Sequence, residues 1–279
     1  MPIRIVTDST CDLPEALISE FGITVIPLYI NIGSHGYQDG IELSRQEFYD
    51  RLPEYNPPPT TASPGPEVFR KTYEQLATEG ATEILSIHIS IKLSSVVDVA
   101  RLAAKETTAV PVTVFDSRQL SLGTGFLVLT AAKAASQGQS ISEIIALLEE
   151  QASRTYVFAA LDTLKYLRRS GRMNGMVAGI GELLQIKPLL KMIDGNPTVE
   201  RVRTNNGATH RLVKILTDLA PLEKVALVHT HAFDKAEALK RQVQHILPEV
   251  ELLSVDITPV LGVHIGPGAV GFACISTPR

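Results

Sequence analysis

Three side chains in this sequence could together bind one anion: Thr61, Ser94 and His264. Each can donate a hydrogen bond without the help of a metal. Ser94 stands where an alternating β-branched run gives way to apolar residues at helical spacing, so we predict that it is the helix N-cap. A helix N-terminus presents free N–H groups and the positive end of the helix dipole, which attract a carboxylate or a phosphate. Ser94 is therefore either a cap or an anion ligand, and this stretch alone favours the cap.

The segment Gly266-Pro-Gly-Ala-Val-Gly271 has the pattern G-x-G-x-x-G. A dinucleotide site needs this motif between a strand and a helix, with an acidic residue about 20 positions further on. The sequence stops at Arg279, so no acid stands at that distance. We therefore predict that Gly266 and Gly268 form a loop that lets backbone approach a ligand. Beside it, His264 is either structural or a hydrogen-bonding partner of an acidic head group, which an ordinary imidazole pKa near 6.5 permits.

A serine hydrolase that uses Ser94 and His264 is a competing interpretation. Its nucleophile elbow has the pattern G-x-S-x-G, with glycine two residues before and after the serine. Lys92 and Val96 stand at those positions here. The sequence therefore does not favour a covalent mechanism, and we expect no catalytic residue, no cofactor and no metal.

Strands that alternate with helices must position these residues. Runs of β-branched and apolar residues predict strands at 3–7, 24–30, 84–91 and 112–115. Capping-box patterns at residues 12–15, 44–47 and 140–143 predict the starts of three helices. Residues 33–40 are predicted to be a loop. The alternation of strands and helices indicates a parallel sheet.

A proline-rich segment at residues 56–66 carries the first of the three anion-binding candidates. Its five prolines in eleven residues fix φ and remove backbone donors, so we predict a stiff loop without regular structure. Thr61 and Ser63 are hydroxyls on this loop, and a stiff loop holds ligand groups at low entropic cost. Ser63 could equally help to start the helix that follows.

The second half of the sequence has a different character. After a predicted strand at residues 155–161 come a basic segment at 165–172 and a glycine-rich apolar helix at 173–184. A β-hairpin follows, with Asp194-Gly195 as its turn, and the last strand is predicted at residues 270–276. We predict two α/β domains, 1–154 and 155–279, with the second one containing the hairpin.

Composition excludes several classes of protein. A net charge of −4 and a pI near 6.0 do not suit a nucleic-acid-binding surface, which needs clustered Lys and Arg. The two cysteines, Cys11 and Cys274, form no C-x-x-C pair, and the sequence opens without a basic segment followed by an apolar run. No apolar stretch approaches the roughly 20 residues that a bilayer span needs. We expect a cytoplasmic protein without a transmembrane segment.

Seven short motifs carry a resemblance to a known family. In chain order they are IVTDST, PTTASP, LSS, Asp116-Ser117, LKYLRRSGR, VRT at residues 202–204 and HIGPGAVG. Along residues 3–277 the sequence resembles the bacterial DegV family. The resemblance implies a two-domain α/β fold with a tunnel at or near the domain interface, which holds one long-chain fatty acid such as palmitate. It implies a role in lipid transport or fatty acid metabolism and no catalytic activity of the chain itself.

Site residues follow from the same resemblance. It implies that Thr61, Ser94 and His264 hold the carboxylate, with Ser63, Ser95, Gly266 and Gly268 as neighbours of the head group. The sequence departs from the family near this site: it has Thr61-Ala-Ser-Pro64 where T-S-Q-P is common and Leu93-Ser-Ser-Val96 where L-S-G-T is common.

Some family members present the acyl carboxylate to an acyl kinase of the dihydroxyacetone-kinase-like type. Residues 165–203 have a net charge of +5 in a chain whose overall charge is −4. The resemblance places equivalent basic residues near the tunnel mouth, so partner docking is predicted for Arg169, Arg172, Arg201 and Arg203. Asn205 and Asn206 replace residues that are often basic, which makes a kinase partner a weaker expectation than acyl binding. Transient membrane contact is also compatible with the sequence, and the alternative function is an enzyme acting on a small carboxylated or phosphorylated metabolite in the same cleft.

Overall fold

The structure is a computed structural model that describes residues 2–172, 186–247 and 252–278. The glycine-rich apolar helix predicted at residues 173–184 lies outside these described residues. The strands are β1 (Ile3–Asp8), β2 (Thr24–Ile26), β3 (Tyr29–Ile32), β4 (His35–Gln38), β5 (Thr60–Ala62), β6 (Glu83–His88), β7 (Val112–Asp116), β8 (Thr155–Ala160), β9 (Lys187–Ile193), β10 (Asn196–Val202), β11 (Leu222–His229), β12 (Leu253–Asp256) and β13 (Val270–Ser276). The helices are α1 (Glu15–Phe21), α2 (Arg45–Arg51), α3 (Pro66–Thr78), α4 (Val96–Glu106), α5 (Leu122–Ser136), α6 (Ile141–Ser153), α7 (Lys165–Arg169), α8 (Asn205–Leu219), α9 (Phe233–Val243) and α10 (Pro259–Ile265).

The first sheet is parallel, as the alternation of strands and helices predicts. Its order is β2-β1-β6-β7, and every neighbouring pair runs in the same direction. β1 and β6 are the two inner strands and are buried along nearly their whole length. Their residues are therefore continuously apolar or hydrogen-bonded, as expected for strands covered on both faces.

The second sheet is mixed and contains the predicted hairpin. Its order is β10-β9-β8-β13-β11-β12, and only β11 and β12 are parallel within it. The turn between β9 and β10 is formed by Asp194 and Gly195, which both have positive φ, 44° and 75°. Two consecutive residues with positive φ form the type I′ turn that Asp-Gly favours, so the sequence prediction is confirmed here.

A third, small sheet corrects three sequence predictions. β3 pairs antiparallel with β4 on one side and β5 on the other. The predicted strand at residues 24–30 is two strands in different sheets, because Pro27 interrupts the ladder. The predicted loop at residues 33–40 contains β4, and the proline-rich segment contains β5. An edge strand of three residues needs few donors, so prolines on both sides do not prevent it.

Helix α5 connects the two larger sheets. Nearly all of its residues are buried, and it contacts β1 and β6 of the first sheet and β8 and β13 of the second. A helix that is apolar on all sides belongs inside a protein, and this one lies within a core that is continuous across position 154. A second apolar cluster lies where α8 and α9 cover the second sheet. The division into domains 1–154 and 155–279 stays a prediction.

The capping patterns predicted a helix start correctly only where the capping side chain bonds to residues close to it in sequence. Ser140 accepts from the Glu143 N–H and Glu143 accepts from the Ser140 N–H, which confirms the predicted capping box of α6. The capping box predicted at residues 12–15 is wrong. The Asp12 side chain is buried and binds Ser121 and Thr258, which lie far away in sequence. Helix α10 was not predicted, and it is the element that carries His264.

Candidate ligand-binding site

A cavity of about 310 Å³ lies between the two halves of the chain. The N-terminal half contributes β5 and the turn before α4, and the C-terminal half contributes β9, the Arg172 turn and α10. Most lining side chains are apolar: Leu28, Ala62, Ile89, Leu93, Leu120, Leu167, Leu190, Met192, Pro197, Val260, Leu261 and Ile265. The polar lining residues are Thr10, Thr61, Ser63, Ser94, Ser95, Arg172, Lys191 and His264. An apolar pocket with a few polar groups is typical of a small-molecule site.

Thr61 and His264 are in direct contact in this cavity. Thr61 lies on β5, where it pairs with Ile30, and His264 lies in the last turn of α10. The Thr61 Oγ1 atom is 3.0 Å from His264 Nε2, a hydrogen bond between residues 203 positions apart in sequence. Helix α10 contacts both β3 and β5, so the small antiparallel sheet positions this pair.

The Thr61–His264 pair keeps one donor available to a ligand. Burial lowers the pKa of His264 to about 3, with a smaller contribution from the charge of Arg172, so the imidazole is neutral at physiological pH. A neutral imidazole carries one N–H. If the proton is on Nδ1, Thr61 donates to Nε2 and the Nδ1–H is uncommitted. If it is on Nε2, that N–H donates to Thr61, whose own hydroxyl proton is uncommitted.

No protein group in the described residues satisfies the Nδ1 atom of His264, although this atom is buried. A buried polar atom without a partner costs stability unless something else binds it. His264 lines the cavity, so a ligand group bound there could satisfy this atom.

Ser94 is not the N-cap that the sequence predicts. Helix α4 begins at Val96, and Ser95 occupies the cap position without a capping bond from its side chain. The Ser94 hydroxyl accepts a long bond of 3.4 Å from the Val96 N–H. Within the described residues its own proton has no acceptor, so it is free to donate into the cavity.

The remaining predicted residues divide into those in the lining and those outside it. Ser63 and Ser95 line the cavity, whereas Gly266 and Gly268 do not. The positive φ values of these glycines, 76° and 86°, are required by the turn, and a β-carbon would meet Tyr166 at Gly266 and Asp162 at Gly268. Close approach at these glycines is thus to the protein's own side chains.

The four arginines predicted to dock a partner also divide. Arg172 is exposed and lines the cavity, so it lies at the opening. Among the described residues no carboxylate pairs with it, whereas Lys191, the other cation of the lining, binds Glu200 at 2.9 Å. Arg169 packs over the Tyr166 ring at 5.0 Å. Arg169, Arg201 and Arg203 are exposed and lie outside the lining.

A buried chain of hydrogen-bonded polar side chains lies next to the cavity. Thr10 lines the cavity, and its hydroxyl donates to Asp8 Oδ1 at 2.5 Å. The other oxygen of Asp8 is 2.9 Å from His88 Nδ1, and His88 Nε2 is 2.7 Å from Ser86 Oγ. Ser86 also bonds Tyr73 at 2.9 Å.

The members of this chain have the order of a Ser-His-Asp triad, but Asp8, His88 and Ser86 are all fully buried. A nucleophile must reach its substrate, so the arrangement does not serve as an active site as it stands. Because the Thr10 hydroxyl donates to Asp8, Thr10 presents only lone pairs to the cavity. The alternation of Ser86 and His88 in β6 and the position of Asp8 after the first predicted strand were the available signals, but neither indicated that Asp8 and His88 meet.

Comparison with known proteins identifies the family. The model of the DegV family, described as "Uncharacterised protein, DegV family", matches residues 2–277. The chain belongs to the DegV family. A DegV domain-containing protein of Streptomyces coelicolor is 37% identical over 274 residues, which cover 96% of each chain.

Solved structures of DegV proteins have the same fold. A DegV family protein from Thermus thermophilus, whose structure is described as showing fatty acid binding, matches with a TM-score of 0.91 and 35% identity over 99% of this chain and 100% of that one. DegV from Bacillus subtilis, described as a fatty acid binding protein, matches with a TM-score of 0.90 and 29% identity over 99% and 100%. These matches confirm the DegV-like fold that the motifs predict.

No helix among residues 2–172, 186–247 and 252–278 is both long and apolar enough to cross a membrane. The same part of the chain contains no group of three or more His, Cys, Asp or Glu side chains that could hold a metal ion.

Proposed function

We propose that this DegV protein binds a long-chain fatty acid such as palmitate in an interior tunnel that includes the cavity. The observation that supports this most strongly is the joining of an apolar lining to the Thr61–His264 pair and Ser94 in one cavity. The apolar lining would remove the acyl tail from water, and the polar side chains would donate hydrogen bonds to the carboxylate. Two DegV relatives of known structure are described as binding fatty acids, which agrees with this proposal.

In this proposal Thr61, Ser94 and His264 hold the carboxylate. The Thr61–His264 pair supplies one donor in either tautomer, and the Ser94 hydroxyl supplies another. Ser63 and Ser95 lie in the same lining and are the neighbours of the head group. Arg172 at the opening adds a positive charge that favours an anion over a neutral ester. None of these groups needs to react, so the protein acts as a carrier in lipid transport or fatty acid metabolism.

Removal of bound lipid is expected to lower the melting temperature, and palmitate is expected to restore it. A ligand that binds only the folded state adds about 2.7 kcal/mol of stability at a free concentration of about 100 Kd. For a chain of this size that corresponds to a rise of roughly 5 °C. Differential scanning calorimetry of delipidated protein measures it, with glycerol 3-phosphate as the comparison ligand. Stabilisation by glycerol 3-phosphate and not by palmitate would favour the alternative, an enzyme that acts on a small phosphorylated metabolite.

A further part of the proposal is that an acyl kinase receives the bound carboxylate. The exposed arginines Arg169, Arg201 and Arg203 lie within residues 165–203, whose net charge is +5, and Arg172 lies at the cavity opening. Guanidinium groups bind carboxylates and phosphates through two parallel hydrogen bonds, so such a surface suits an acidic kinase face or a nucleotide. An interface of this kind depends on salt concentration.

Reversal of two of these charges, Arg169→Glu with Arg203→Glu, is expected to abolish salt-sensitive association with the kinase and leave palmitate affinity unchanged. Arg172 is left intact because it lines the cavity. Lys105→Glu with Arg241→Glu makes the same change of charge at exposed positions on α4 and α9 and is the matched control. Co-purification and acyl-phosphate formation at two salt concentrations are the measurements. Normal rates and salt dependence in the first variant would mean that these arginines do not dock a kinase.

A further inference from the structure

The helix that carries His264 is held at its other end by side chains from the N-terminal part of the chain. The backbone N–H of Thr258, the residue before α10, donates to Asp12 Oδ1 at 2.8 Å. The Tyr49 hydroxyl donates to the carbonyl of Ile257, also at 2.8 Å.

Arg45 donates to the carbonyl of Asp256 and lies 3.5 Å from Asp12. The Thr258 hydroxyl donates to Asp39 Oδ2 at 2.5 Å. We call Asp12, Asp39, Arg45 and Tyr49 the α10 clamp.

The clamp contains two carboxyl groups whose burial costs free energy. Asp12 and Asp39 are only 1% and 2% exposed. Burial raises the pKa of Asp12 to about 7 in spite of the neighbouring Arg45, and burial also raises the pKa of Asp39. The second oxygen of Asp39, Oδ1, completes no hydrogen bond within the described residues, although the Ser9 side chain is close enough to oppose the rise in the pKa of Asp39. Apolar side chains could pack against α10 without this cost, so burial of apolar surface does not account for the presence of these polar residues.

Close packing fixes the same helix from the side. A β-carbon at Gly262 would overlap the Tyr49 ring, so α2 and α10 approach each other more closely than any other residue would allow. His264 follows Thr258 by six residues. At 1.5 Å per residue, the clamp and the imidazole are about 9 Å apart along one short helix. A shift at the Thr258 end therefore moves His264 relative to Thr61.

We propose that the α10 clamp comprises positioning residues that hold His264 in register with Thr61 and so set the affinity for the acyl head group. None of the clamp residues lines the cavity as the structure describes it, so they act through the helix and not on the ligand. This inference rests on the proposed function, because it assigns a role in binding the carboxylate.

Two variants remove single hydroxyls from the clamp's hydrogen bonds and keep the shape of the side chain: Tyr49→Phe and Thr258→Val. Thr155→Val is the matched control, because Thr155 is also fully buried and its hydroxyl also makes one bond, to the Gln151 carbonyl. Titration calorimetry with palmitate and with methyl palmitate separates the head group's contribution to affinity from that of the tail. We expect the ratio of acid to ester affinity to fall about tenfold in both clamp variants, the lower end of what a bond to a charged group contributes. In Thr155→Val the ratio should equal that of the wild type.

A second readout needs no ligand. The imidazole ¹⁵N shifts of His264, assigned with His264→Gln, report its hydrogen bond to Thr61 in delipidated protein. They should change in Tyr49→Phe and Thr258→Val but not in Thr155→Val. If both clamp variants match the control in ratio and in shifts, the clamp only stabilises the fold and the inference is wrong. If wild-type protein binds neither acid nor ester, the proposed function fails, while the shifts still decide whether the clamp positions His264.

Discussion

Palmitate should bind about 100-fold more weakly to a protein carrying Thr61→Val and Ser94→Ala, while methyl palmitate should lose less than about fivefold. A hydrogen bond to a charged group contributes about 1.5–3 kcal/mol, or about tenfold or more in affinity. The variant loses two hydroxyls, and the ester has no charge for them to stabilise. Valine keeps the shape of threonine, so the tail's contacts with the lining are preserved. Isothermal titration of both ligands measures the two ratios.

The alternative for Ser94 makes a different forecast. A true N-cap serine contributes about 1 kcal/mol to folding stability, and its loss would weaken acid and ester alike. Because Ser95 and not Ser94 occupies the cap position of α4, we expect Ser94→Ala to cost well under that amount. Thr107→Val, at the opposite end of α4, removes a buried hydroxyl that bonds the Ala103 carbonyl and serves as the control. Equal losses for acid and ester would contradict the assignment of Thr61 and Ser94 to the carboxylate.

Chain length should change affinity more than any head-group substitution. Burial of one methylene contributes about 0.8 kcal/mol to binding. Octanoate has about eight fewer methylenes than palmitate, so its binding free energy is expected to be weaker by up to roughly 6 kcal/mol. That is about a 10⁴-fold difference in Kd if the whole tail is buried. The charge and the head-group bonds are the same in both ligands, so the comparison isolates the tail.

A titration series from octanoate to stearate in delipidated protein provides this measurement. Affinity should rise steadily with each added pair of carbons until the tunnel is full. Equal affinity for octanoate and palmitate would place most of the tail outside the protein, and the proposed tunnel would then be wrong. The apolar lining, which includes Leu190, Met192 and Leu261, is the surface that the tail would cover.

Local patterns predicted the elements that local forces form. The type I′ turn at Asp194-Gly195, the capping box at Ser140 and the parallel arrangement of β1 and β6 all follow from neighbouring residues or from the order of elements. The strand β5 was missed because its partner, β3, is about thirty residues away and supplies the hydrogen bonds that its own composition discourages. A neighbouring strand that completes the hydrogen-bond ladder can therefore override the low β-strand propensity of a segment.

The site shows the same division between local and distant causes. Family motifs selected Thr61, Ser94 and His264, and the structure brings them into one cavity. Ser95, and not the predicted Ser94, is at the N-cap position of α4. The spacing of apolar residues does not define a helix end to within one residue. The sequence did not predict the buried hydrogen-bond networks, because their partners are far apart in the chain: Asp8 and His88 by 80 residues, and Asp12 and Thr258 by 246. No periodicity in the sequence marks such contacts.

Arg172 illustrates how position changes a role. In the sequence it belongs to a basic segment and is predicted to dock a partner along with Arg169, Arg201 and Arg203. In the fold it lines the cavity, whereas the other three lie outside the lining. A cation at the opening of an apolar cavity suits an acid better than an ester, and we therefore assign it to the ligand before any partner.

The most direct test of the central claim is to identify what the protein carries when it is purified without added lipid. Extraction under denaturing conditions, followed by mass spectrometry with the extract of an equally treated unrelated protein as the blank, gives the bound species and its amount per chain. The fatty-acid proposal predicts close to one long-chain fatty acid per chain, which falls sharply in the Thr61→Val, Ser94→Ala variant. A small polar metabolite at that stoichiometry, with no acyl chain above the blank, would contradict it.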